Sequence, residues 1–202
     1  MDKKIQNYLA FGQKELKGKE IFSDVILILI PAIFYGVFRF SKLNISLVSI
    51  LLIIAVITLG VWALIKKSDY AINLYRGVAA LCNSVHWLML SALCTIISGA
   101  NAVITISSFI VIVFVVCIAI CKNIDRLIEQ DAYNTEYKQT AKGSRYTGFL
   151  FAFILCPLIF SNISQHAVYV IIAFCALIVG TLFLLGVNYL KKAKIYHKAH
   201  LG

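Results

Sequence analysis

Asn73, Arg76, Cys82, Asn83, Ser84 and His86, followed by Trp87 and Cys94, form the densest run of reactive and hydrogen-bonding side chains in this chain. At helical spacing Arg76, Asn83 and His86 fall on one stripe, and Cys82 lies one turn from His86. A neutral imidazole can hold a ligand or pass a proton, an amide can bind a polar solute, and a thiol beside an imidazole can act as a nucleophile. Asn83, His86 and Arg76 are therefore the candidate ligand-binding residues. His86 with Cys82, Cys94 or Cys156 is the alternative, catalytic set. Along a straight helix Cys94 stands about 12 Å from His86 and Cys82 about 6 Å, so Cys82, or Cys156 from another segment, is the nearer thiol. The plainer role for His86 is an interhelical hydrogen bond.

The elements that must carry these residues follow from composition. Of 202 residues, 61% are apolar and 14% charged, against about 25% charged in soluble domains. An all-α, polytopic integral membrane protein is expected, and a soluble enzyme or nucleic-acid-binding domain is excluded. Six segments approach the roughly 20 apolar residues that cross a bilayer: 21–40, 44–65, 78–97, 102–121, 146–163 and 167–190. They make six transmembrane helices in three hairpins.

All but Arg39 and Lys42 of the 19 basic residues lie in the N-terminal tail, the second and fourth connections or the C-terminal tail. By the positive-inside rule both termini face the cytoplasm, in an inner or plasma membrane. Residues 1–20 are expected to be an amphipathic tail, with Ile5, Tyr8, Leu9, Gly12 and Leu16 laid on the membrane surface. Residues 191–202 read as a basic tail. The connection 122–145 is the one sizeable soluble segment, with Ile124, Leu127 and Ile128 able to extend the fourth helix and mixed charges suited to a partner.

Pro31 and Pro157 each free a backbone carbonyl about ten residues into a span, near the expected depth of His86 at the midplane. Kinked helices meeting a polar side chain there are what a solute site requires. No acidic residue lies deep in a span, and Asp24 comes closest, which argues against a carboxylate-driven pump. The six cysteines sit in or beside apolar runs and imply no disulfide framework; no metal site or cofactor is expected. Ala32-x-x-x-Gly36 and Ala176-x-x-x-Gly180 read as seams of close helix approach.

The order Arg76, His86, Cys94, with the chain's length and span number, resembles the accessory gene regulator membrane endopeptidases, which process quorum-sensing peptides. The resemblance implies a membrane cysteine peptidase centred on His86. It covers only the third span, lacks that family's glycine-rich approach to the histidine and differs in His-to-Cys spacing, so the chain is not assigned to the family. Three functions are expected in this order. The first is a transport component, either a solute-binding subunit or a permease accessory. The second is a non-catalytic immunity, sensor or sequestering regulator acting through 122–145. The third is a cysteine peptidase. The partners implied are the lipid bilayer, a cytoplasmic or membrane protein, and a small solute, but no nucleic acid.

Overall fold

The computed structural model describes residues 2–37, 45–133 and 165–201, in which all regular structure is helical. The elements are α1 (Lys3–Ala10), α2 (Gly18–Val37), α3 (Ile45–Lys66), α4 (Asp69–Ile97), α5 (Ala102–Glu129), α6 (Gln165–Phe183), one 3-10 turn (Leu184–Gly186) and α7 (Val187–Leu201). Among the described residues four stretches are long and apolar enough to cross a membrane: Leu47–Lys66, Asp69–Ile97, Ala102–Glu129 and Ala167–Ala199, the last running through the 3-10 turn.

Burial is inverted relative to a water-soluble bundle. On α3 the outward face is Leu47, Ile50, Leu51, Ile54, Ile57, Val61 and Ile65, all exposed. The buried face of α4 instead carries Asn73, Asn83, Ser84, His86 and Ser91. Apolar outside and polar inside is the arrangement that a hydrocarbon solvent stabilises. It makes this an integral membrane protein.

Local chemistry fixes the turns. The Ser68 hydroxyl accepts the Ala71 amide at 3.2 Å to start α4, and Lys67, at φ 51, makes the sharp reversal from α3. Asn101 accepts the amides of Val103 and Ile104 to start α5, just after Gly99 turns the chain at φ 99.

At the centre stands α4, packed by α2 and α3 and also by α6 and α7. Its seam with α6 and α7 is antiparallel. Ser91 donates to the Ala173 carbonyl at 2.6 Å and Ser84 to the Gly180 carbonyl at 2.8 Å. Further down, Gly186 lies on Ala80 and Gly77 on Leu190, where an added Cβ would stand 2.2 Å and 2.4 Å from the facing side chains. Small residues let the backbones close, and serine hydroxyls join them. Ala176 and Gly180, expected to form a seam, lie in this one: Ala176 is fully buried, and Gly180 abuts Leu88.

Several boundaries differ from those the sequence implies. The third span begins at Asp69 rather than Val78, because its polar first turns are satisfied inside the bundle by Glu20 and Asp24. The fourth runs to Glu129, extended by Ile124, Leu127 and Ile128 as expected. Residues 191–201, read as a tail, continue the last helix and bury Lys192 and Ala193. The surface helix expected over residues 5–16 is not formed. Instead α1 stops at Ala10 before Gly12, at φ 68, and Tyr8 and Leu9 are buried against Ile124, Ile128, Ile195 and Tyr196. Its apolar face finds protein rather than lipid, while Leu16 joins a separate cluster with Ile21, Ala71 and Ile72. The expected span 146–163, with Cys156 and Pro157, lies outside the described residues, as do residues 134–145.

A lysine-rich end of the bundle gathers α1, the α3–α4 turn, the end of α5 and α7. Lys4 donates to the Glu129 carbonyl at 2.7 Å and Asn7 to Asp131 at 3.0 Å. The Tyr8 hydroxyl donates to Asn188 Oδ1 at 2.7 Å, and the Lys192 ammonium, over the Tyr8 ring, reaches the Phe11 carbonyl at 2.5 Å. Burial, and then Tyr133 and Asp125 nearby, hold the Tyr8 phenol above its usual range, so it serves as a neutral donor. Tyr133 packs edge-on against both Tyr8 and Phe11.

Candidate functional site

The candidate site is a polar junction of α2, α3 and α4. Two side-chain bonds set its floor: Tyr75 donates to Asp24 Oδ2 at 2.6 Å, and Arg76 pairs with Glu20 at 3.0 Å. Both join α4 to the first turns of α2. Counting upward from the Asp24–Tyr75 level, Pro31 stands about 10 Å higher on α2 and Asn83 about 12 Å higher on α4. Pro31 is fully buried and has no amide hydrogen to offer the Leu27 carbonyl. Pro31 thus stands near the level of Asn83 and about one turn below His86, beside which it was expected.

His86 lies one turn above Asn83 and about 15 Å above Arg76 along α4. It is 1% exposed, and its Nε2 lies 3.1 Å from the Ser49 hydroxyl of α3. Which of the two donates depends on the imidazole tautomer. The Asn83 side chain is 0% exposed; its amide nitrogen donates to the Ala79 carbonyl at 3.0 Å, and its Oδ1 accepts no hydrogen bond from any described residue.

The three candidate ligand residues thus divide. Asn83 and His86 stand together in the junction, whereas Arg76 is taken up by Glu20, with a longer contact to the Glu15 carbonyl at 3.4 Å. Arg76 ties the N-terminal segment to α4 and lies well below the other two.

Among the described residues five cysteines carry free thiols. Cys82 is half-buried beside the α2–α3 core, and Cys94 is fully buried among Trp87, Leu90, Ala173 and Ala176. Cys94 fills space in the α4–α6 seam, eight residues up the same helix from the imidazole. No three His, Cys, Asp or Glu side chains converge as metal ligands among the described residues.

Sequence reasoning missed Ser49 and Glu20 as partners of His86 and Arg76, and the pairing of Asp24 with Tyr75. Asp24 carried a signal, being the acidic residue nearest a span interior. Ser49 carried none, because its role arises only when α3 is laid against α4. What the junction offers chemically is a buried group of hydrogen-bonding atoms, an imidazole, a hydroxyl and an amide oxygen that accepts from no described residue, beside a helix that contains a proline. Comparison with protein-family models, curated proteins and solved structures yields no significant match.

Proposed function

We propose that this chain is a transport component, a solute-binding membrane subunit or permease accessory, whose solute contacts Asn83, His86 and Ser49 between α2, α3 and α4. The observation that carries the reading is the fully buried Asn83 Oδ1 without a hydrogen bond from any described residue. A buried acceptor left unmade costs about 1–3 kcal/mol, a penalty that a polar ligand at the junction relieves. Such a site needs alternating exposure to the two faces, and the proline in α2 supplies a point of bending.

The fold proposed is six spans in three hairpins, with the lysine-rich end in the cytoplasm of a plasma membrane. Lys122 to Tyr133 end at that face, whereas Gln165 opens α6 at the opposite one, so one further crossing between them completes the count. The alternative of a regulator working through 122–145 is less favoured, because Lys4, Asn7, Tyr8 and Phe11 already occupy the backbone and side chains around Glu129 to Tyr133.

The test is thermal unfolding of the purified chain against a panel of sugars, amino acids, nucleosides and small cations. A binder raises Tm in the parent and not in Asn83→Leu, which removes the amide while keeping the branched heavy-atom skeleton. Without ligand, Asn83→Leu melts at or above the parent temperature, since an apolar replacement removes the unpaired acceptor. A ligand response that survives in Asn83→Leu and in Ser49→Ala would refute the site.

A further inference from the structure

Where α7 passes the end of α5, a groove of about 420 Å³ opens on the side of the bundle. Its floor is hydrocarbon and thiol: Val187, Leu190 and Ile195 from α7, and Cys121 from α5. Its rim is Lys191, Lys194 and Lys198, spaced three and four residues apart and so aligned along one edge of the helix. Lys191 is paired with Asp125, and its ammonium also lies 3.4 Å from the Cys121 carbonyl, which closes one end. Lys194 and Lys198 are exposed and form no ion pair or hydrogen bond with any described residue.

The groove sits where an apolar membrane helix turns into a lysine-rich one, the level at which headgroups meet acyl chains. An unneutralised lysine pair above an apolar trough is complementary to a molecule with a phosphate at one end and a hydrocarbon chain at the other. A soluble anion would use the rim and leave the trough wet; a neutral lipid would use the trough and leave two charges unmatched. We infer that this groove is a binding site for one anionic phospholipid, its phosphate between Lys194 and Lys198 and an acyl chain along Val187, Leu190 and Ile195. The inference rests on the membrane reading of the fold but not on which face is cytoplasmic or on the solute site.

The full chain in nanodiscs of mixed phosphatidylcholine and phosphatidylglycerol tests it, with retained lipid counted by native mass spectrometry. One phosphatidylglycerol is expected to stay bound, and Lys194→Gln/Lys198→Gln to reduce its retention about tenfold relative to phosphatidylcholine. Lys14→Gln/Lys17→Gln, an equal charge change at exposed lysines elsewhere, is expected to leave retention unchanged. Equal losses in the two double variants would overturn the site in favour of diffuse surface attraction. Thermal stabilisation in neutral micelles by inorganic phosphate, equal to that by phosphatidylglycerol, would overturn the lipid assignment. Because nanodiscs expose both faces and no solute is present, either failure leaves the proposed transport function untouched.

Discussion

Replacing Gly186 by alanine tests the central packing seam. The new methyl carbon would stand 2.2 Å from the Cβ of Ala80, a group fixed to the α4 backbone with no rotamer by which to withdraw. Carbon atoms in contact settle at about 3.5–4.0 Å, so the helices must part locally by about 1.5 Å. Overpacking of this kind costs about 1–3 kcal/mol. The same movement stretches the Ser84 to Gly180 bond, now 2.8 Å, beyond useful length. Interhelical bonds of that type contribute about 0.6 kcal/mol, which gives a total near 2–3 kcal/mol. For a chain of this size that lowers Tm by roughly 5–10 °C. The assay is thermal unfolding in detergent, read with a thiol-reactive dye in a background where Cys94 is the sole cysteine, since Cys94 is fully buried until the seam opens. Gly18→Ala is the control, because nothing lies within 4 Å of the added carbon. Gly60→Ala should fall between them, meeting the flexible Ile21 Cδ1 at 2.7 Å. If Gly186→Ala melts with Gly18→Ala, the close approach of these helices is refuted.

Other perturbations follow from single contacts. Ser91→Ala removes the 2.6 Å bond to the Ala173 carbonyl and should destabilise by about 0.6 kcal/mol, with Ser84→Ala/Ser91→Ala roughly twice that in equilibrium unfolding. Tyr8→Phe keeps the ring contacts but loses the bond to Asn188; a loss of about 1 kcal/mol is expected, along with faster proteolysis of the first ten residues. Reporter fusions after Gly99 and after Lys198 should report opposite sides of the membrane, and identical sidedness would overturn the proposed six-span topology.

The membrane character of the fold was legible because lipid imposes an averaged constraint: any sufficiently long apolar stretch satisfies it, wherever the rest of the chain lies. Helix ends were less legible. Asp69 to Gly77 look too polar for a span until Glu20 and Asp24 are brought beside Arg76 and Tyr75, and only tertiary structure does that. The N-terminal helix illustrates the same limit, since an amphipathic pattern declares an apolar face without naming what covers it. Asn83 and His86 could be singled out because polar atoms are costly inside a membrane. Arg76 belonged to the same stripe by spacing alone, and its guanidinium turned out to serve a different helix.

The docking of α1 also orders events in time. Tyr8 is made 180 residues before Asn188, to which it is bonded, and earlier still than Lys192, which lies over its ring. The contacts of α1 with Glu129, Asp131 and Tyr133 can form once α5 is made, so α1 gains one side of its seat before the other exists. The seat is complete only with α7, so a chain cut short before Asn188 holds α1 on one side alone, a mark by which a quality-control protease could tell a product that lacks α7 from one that has it.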